Sequence, residues 1–136
     1  MPIAVEIVTQ EKVVFSEPEA DMVIVPAMEG EMGVLPGHAP MIVTLRGGVI
    51  SVTENGQVTD RLFVAGGFAE VTPERCTVLA DEVTPVAQLS RAAAESRIRD
   101  AEEAYAIATA ETPEKRDAAM DRLLSARAML QAAEAA

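Results

Sequence analysis

The sequence predicts a β + α chain: an N-terminal β-sandwich or flattened barrel of about ten short strands, then a C-terminal antiparallel two-helix hairpin. Three observations carry this. Apolar, β-branched runs broken by Gly, Pro and Asn-Gly turns fill the first part. The last part is dominated by Ala with interspersed Glu and Arg, a helix-forming composition. The two compositions meet near Thr84-Pro85, which divides the chain into residues 1–85 and 86–136.

The elements follow in order. Ile3 to Thr9 is a β-rich run, and Lys12 to Ser16 and Asp21 to Val25 are two more. Glu29 to Pro40 holds three glycines and two prolines in twelve residues, so it reads as a loop of fixed shape. Met41 to Arg46 and Gly48 to Glu54 are strands divided by Gly47-Gly48. Asn55-Gly56 is a two-residue hairpin signal that returns the chain through Gln57 to Ala65. Gly66-Gly67 turns into Phe68 to Thr72, and Pro73-Glu74 into Arg75 to Ala80.

The helices are expected over 87–109 and 113–134. Thr112 is the expected N-cap and Pro113 the first helical residue of the second. Ala94, Ile98, Ala101, Tyr105 and Ala108 share one face of the first helix. Ala119, Leu123, Ala126, Leu130 and Ala133 share one face of the second. A seam so rich in Ala buries little at ~25 cal/mol per Å², so the hairpin is expected to rely on a docking surface and to be able to leave it.

Composition excludes several functions. The chain is 49% hydrophobic but only 3% aromatic, so its core is aliphatic. Its net charge is −11, with the acid concentrated in residues 1–86. That argues against nucleic acid, which requires Lys and Arg on phosphates, and against anionic lipid. One Cys allows no internal disulfide, and Cys76 is expected as a small core residue. With His38 as the only His, no conventional zinc cluster forms, and no cofactor is expected. No run approaches the ~20 apolar residues of a membrane span, so no direct lipid insertion is expected. The start, Met-Pro-Ile-Ala-Val-Glu, lacks a basic n-region, so the protein is expected in the cytosol or on a cytosol-facing partner. The glycine pairs match neither phosphate-binding spacing and read as turns. His38 as a general base would need a partner, and the nearest carboxylates in sequence are Glu29 and Glu31. The sequence therefore favours a binding protein over an enzyme.

Glu-Gly-Glu-Met-Gly-Val-Leu-Pro-Gly-His-Ala-Pro, residues 29–40, resembles the signature of the epsilon subunit of bacterial F-type ATP synthase. Ala65-Gly-Gly-Phe-Ala-Glu-Val71 and Thr77-Val-Leu-Ala-Asp81 resemble two further segments of that family, in order and at the expected spacing. The resemblance implies a non-catalytic central-stalk subunit on the cytoplasmic face of the bacterial inner membrane. Its partners would be the gamma subunit, the c-ring and the alpha/beta catalytic head. It implies c-ring contact through Glu29, Gly30 and Glu31, and gamma contact through Thr9, Gln10, Gly37, His38 and Ala39. Lys115, Arg116, Arg122 and Arg127 would meet the catalytic head if the hairpin extended. The alternative is an ATP-sensing switch, since some relatives bind ATP through an Ile/Leu-Asp-x-x-Arg-Ala pattern. Here Leu89-Ser90-Arg91-Ala92-Ala93-Ala94 replaces the Asp by Ser90 and the Arg by Ala93. Arg91 lies about 200° around the helix from that Arg position, so ATP binding is expected to be weak or absent.

Overall fold

The computed structural model describes residues 2–135. Ten strands precede two helices: β1 (Ile3–Val8), β2 (Val13–Ala20), β3 (Met22–Ala27), β4 (Gly30–Val34), β5 (Met41–Leu45), β6 (Gly48–Glu54), β7 (Gln57–Val64), β8 (Gly67–Val71), β9 (Arg75–Ala80), β10 (Val83–Pro85), α1 (Arg91–Ala108) and α2 (Pro113–Ala135). The strands form one sheet in the order β10-β7-β6-β3-β5-β8-β9-β1-β2, with β4 on β3. All pairs are antiparallel except β1 with β9.

This sheet folds over on itself along a corner. β5 and β6, β7 and β8, and β9 and β10 are consecutive pairs, each broken by only two residues: Arg46–Gly47, Ala65–Gly66 and Asp81–Glu82. The first layer is β10, β7, β6, β3 and β4, and the second is β5, β8, β9, β1 and β2. β3 serves both, pairing Met22–Ile24 with β6 and Ala27 with Leu45 of β5. Backbone bonds tie the breaks together: Arg46 N to Pro26 O (2.9 Å), Ala65 N to Glu82 O (3.2 Å) and Asp81 N to Gly66 O (3.3 Å). Gly66 and Gly67 adopt φ of 151° and 136°, which side chains disfavour. A Cβ on Gly67 would sit 2.0 Å from Leu79 O.

Between the layers lies an aliphatic core that includes Ile3, Val5, Ile7, Val23, Val25, Ile50, Val52, Val71 and Val78. Each alternates along its strand with a more exposed neighbour, as the pleat requires. Cys76 is fully buried there, and burial pushes its thiol up to about 11, so it is inert as a nucleophile. Asn55 (φ 52°) and Gly56 (φ 76°) make the expected hairpin turn between β6 and β7.

Several boundaries differ from the sequence reading. Residues 29–40 are not loop throughout: Gly30–Val34 is β4, paired with β3 from Ala27↔Gly30 to Val23↔Val34. β2 runs on past Ser16 to Ala20 through Pro18, which an edge strand tolerates because its outer N–H has no ladder partner. β10 pairs with Leu62–Val64 of β7 and was not anticipated. A 3-10 turn at Val86–Gln88 precedes α1, which starts only at Arg91 because Ser90 caps it, Oγ accepting from Ala93 N (3.2 Å). In α2, Thr112 Oγ1 accepts from Lys115 N (3.3 Å) with Pro113 first in the helix, as expected. Ala94, Ala101 and Ala108 of the expected α1 seam are buried, as are Ala119, Leu123 and Ala126 of α2. Met129 is buried beside them, while Leu130 is only half-buried.

The corner makes a stability prediction. Gly67→Ala is expected to cost at least about 3 kcal/mol or to prevent folding, because the new Cβ meets backbone. Gly56→Ala, with open space around its Cβ, is expected to cost only about 1–2 kcal/mol. Urea melts of the two variants check the contrast.

Candidate functional site

Cross-strand register places five residues in one row on the solvent face of the second layer: Thr44↔Phe68↔Leu79↔Val8↔Val13. Met28, just past β3, extends the row by donating its N–H to Thr44 O (3.0 Å). Met28 (55%), Phe68 (54%), Leu79 (51%) and Val13 (54%) are exposed, and Val8 is half-buried. One row further along β5, Ile42 is 73% exposed. An antiparallel layer with one solvated face normally presents polar residues there. This layer instead carries a stripe that is apolar at every position but Thr44, crossing six strand positions, about 24 Å at ~4.8 Å per strand. Contiguous exposed apolar surface of this kind marks an interaction site.

The turn residues singled out in the sequence surround this face without meeting one another. Thr9 and Gln10 form the β1–β2 turn directly after Val8, where Thr9 N donates to Lys12 O (2.9 Å). Glu29 forms the β3–β4 turn with Met28, at the other end of the stripe, and Gly30 (φ 141°) and Glu31 open β4, opposite Ala27 and Pro26. Gly37, His38 and Ala39 lie at the open end of the sandwich, away from the corner. There Leu35–His38 is a type II turn, with Gly37 at φ 84° and His38 N donating to Leu35 O (3.1 Å). Gly37 N also donates to Pro73 O (2.8 Å), pinning this turn to the β8–β9 turn. His38 Nδ1 donates to the neighbouring Ala39 O (2.9 Å). The stretch of β4 from Glu31 to Val34, about 10 Å at ~3.3 Å per residue, separates Glu31 from the turn that carries His38. Among the described residues no group of three or more His, Cys, Asp or Glu side chains is placed to hold a metal.

The hairpin sits on the corner. Ser125 Oγ donates to Ala65 O (2.9 Å), Arg97 pairs with Glu82 (2.8 Å), and Phe63 packs with Ala94 and Met129. Gly47 lets α2 come this close, since a Cβ there would lie 2.7 Å from Ser125 Cα. A cleft of about 720 Å³ opens between α2 and the stripe, lined in part by Met28, Phe68 and Leu124. Lys115 pairs with Glu111 (3.4 Å), whereas Arg116, Arg122 and Arg127 are exposed and make no ion pair among the described residues. In the Leu89–Ala94 stretch, Leu89 packs against the Phe63 cluster and Ser90 is occupied as the cap. Arg91 pairs with Glu95 (3.1 Å) and Glu134 (3.6 Å).

At the open end, acids from both layers converge. The Glu54 carboxyl is raised above the ordinary glutamate value, first by its hydrogen bond with Glu17, then by partial desolvation and the charges of Glu17, Asp60 and Asp21. Asn55 N donates to Asp21, which fixes that carboxylate beside the pair.

The sequence reading missed the stripe. A signal was present: Met41-Ile-Val-Thr-Leu and Cys76-Thr-Val-Leu-Ala lack the polar alternation that a one-sided strand shows.

Two predictions follow from these contacts. Gly47→Ala is expected to push α2 off the corner while the sandwich stays folded, raising hydrogen exchange at least tenfold across 113–135 but not in β9. Because folding raises the Glu54 value, the folded state holds that proton more tightly than the unfolded state. The penalty is thus full above the folded value and is relieved as pH falls through it toward 4.5. Glu54→Gln is therefore expected to melt higher than wild type at neutral pH, with the gap closing on acidification and at high salt; thermal melts across that range check it.

Residues 2–86 match the family described as ATP synthase, Delta/Epsilon chain, beta-sandwich domain. The chain is 59% identical over 130 residues to the ATP synthase epsilon chain of Granulibacter bethesdensis, covering 96% of each. It is 47% identical to that of Gluconacetobacter diazotrophicus, covering 98% of this chain and 94% of the relative. Its fold is similar to a chain in the cryo-EM structure of the Euglena gracilis mitochondrial ATP synthase. That match has a TM-score of 0.77 at 21% identity and covers 96% of this chain and 81% of the other. On the family match and these identities, the chain belongs to the epsilon-chain family of ATP synthase.

Proposed function

We propose that this chain is a non-catalytic subunit of the central stalk of a proton-translocating rotary ATP synthase. In that role it joins the gamma subunit to the c-ring, so that rotation is coupled to ATP synthesis in the alpha/beta head. The apolar stripe across Met28, Phe68, Leu79 and Val13 is the observation that carries this reading, because an exposed face of that kind needs a lasting partner. Gamma covers the stripe and reaches Thr9 and Gln10 beside it and Gly37, His38 and Ala39 at the open end. Glu29, Gly30 and Glu31 take the polar loops of the c-ring. Residues 1–85 are the assembly module. Residues 86–136 are a tail with weak control over ATP hydrolysis, and Arg116, Arg122 and Arg127, which have no ion pair among the described residues, support a charged contact with the head when the tail extends. The complex holds the chain peripherally at the cytoplasmic face of the bacterial inner membrane. Among the described residues no helix is long and apolar enough to cross a membrane.

Tagged wild-type chain is expected to recover gamma, the headpiece and the c-ring from detergent-solubilised membranes. Phe68→Asp with Leu79→Asp is expected to lose gamma recovery at least tenfold while staying folded, although it melts lower because the two carboxylates face each other across the β8–β9 pair. A correctly folded double variant that recovers gamma undiminished sinks the stripe assignment.

A further inference from the structure

We infer that the docked hairpin completes the seat of the gamma subunit, so that gamma binding and hairpin docking stabilise each other. The inference rests on the assignment of the stripe to gamma and extends it to regulation. Three large apolar side chains from three separate elements meet at one cleft: Met28 after β3, Phe68 of β8 and Leu124 of α2. All three are more than half exposed. Met28 and Phe68 also belong to the stripe, so the cleft is the continuation of that face and not a separate pocket. Leu124 reaches it only because the Gly47–Ser125 approach and the Ser125–Ala65 hydrogen bond hold α2 on the corner. Leu124 takes no part in the hairpin seam, which Leu123 and the alanines make. Its exposure is therefore not needed to hold the two helices together.

Continuity with the stripe identifies the partner that enters. Arg46 and Arg127 line the same cleft and form no ion pair among the described residues, and Asp81, Asp121 and Glu134 line it too, so its rim carries both signs of charge. Three apolar side chains inside a rim of mixed charge, continuous with the stripe, fit a gamma segment that anchors an apolar side chain there and meets the rim with polar groups. A segment seated there touches the sandwich and α2 at once. Its affinity is then higher for the docked than for the extended hairpin, and linkage requires the reverse effect of equal size.

The test uses the full chain and purified gamma in three arms. Leu124→Asp is expected to weaken gamma binding about tenfold, and Leu124→Ala about threefold, without lowering the melting temperature, since Leu124 is solvent-facing in the free chain. Added gamma is expected to slow hydrogen exchange across 113–135 in wild type and not in Leu124→Asp. Undiminished gamma affinity in Leu124→Asp, with the Phe68→Asp, Leu79→Asp variant defective, overturns this inference and leaves the stripe assignment standing. Undiminished affinity in both variants overturns the two together. Concentration-dependent dimerisation of the free chain that Leu124→Asp abolishes assigns the cleft to a second copy and likewise overturns it.

Discussion

The corner is the constraint on which the other features depend. Three strand pairs must change layer within two residues each, at Arg46–Gly47, Ala65–Gly66 and Asp81–Glu82, and must do so side by side. Backbone at such a fold-over has few ladder partners of its own, and buried N–H groups without partners are costly. The chain satisfies them across the breaks, Asp81 to Gly66 and Ala65 to Glu82. Residues small enough for backbone to meet backbone are then mandatory, and the glycines fall there. The same bareness that lets the strands turn also gives α2 a smooth place to land: Gly47 admits Ser125, and Ala65 supplies the carbonyl that Ser125 uses.

The hairpin is held there by modest forces. Its internal seam is mainly alanine, so each residue adds little apolar burial. The Arg97–Glu82 pair joins side chains that are both more than 40% exposed, and such pairs contribute at most about 1 kcal/mol. Phe63 is the exception. It is the one large aromatic that is fully buried, and it faces Ala94 and Met129 rather than the core between the layers. Most of the apolar adhesion between sandwich and hairpin therefore converges on one ring. A helical unit attached in this way opens well below the free energy of global unfolding, which suits the proposed control of its position by a partner.

Much of this was legible in the sequence. Asn55-Gly56 and Gly66-Gly67 located their turns because each takes backbone angles that few other residues adopt, Gly47-Gly48 located its turn because Ser125 and Pro26 leave no room for side chains there, and Thr112-Pro113 marked the start of α2 by its cap. Failures came where tertiary pairing overrode local signals. β4 is disguised by Gly30 and Gly33, which have low strand propensity, and it exists because β3 offers it a partner. Pro18 hid the second half of β2, since the sequence does not reveal which strand will be an edge. At the site, the turns carrying Thr9, Glu29 and His38 were visible as turns. Their arrangement around one face was not, because it depends on sheet order and on β1 lying parallel to β9. Ser90 shows the opposite case: viewed as a position in a ligand pattern it seemed a loss, whereas its hydroxyl is what starts α1.

A protein with an exposed apolar stripe has to avoid pairing with itself before its partner arrives. Charge supplies part of the answer. Glu70 and Glu6 stand in the row beside the stripe, and Glu29 and Glu31 stand at one end of it. Two copies brought face to face would set these carboxylates against each other across a surface being dried, where repulsion grows as the dielectric falls. A partner with cations at matching positions would convert the same residues into favourable pairs. The aliphatic residues thus provide adhesion, and the acids around them select against a second copy of the chain. This division explains how a chain with net charge −11 can keep Phe68, Leu79 and Val13 in water and still commit them to one assembly.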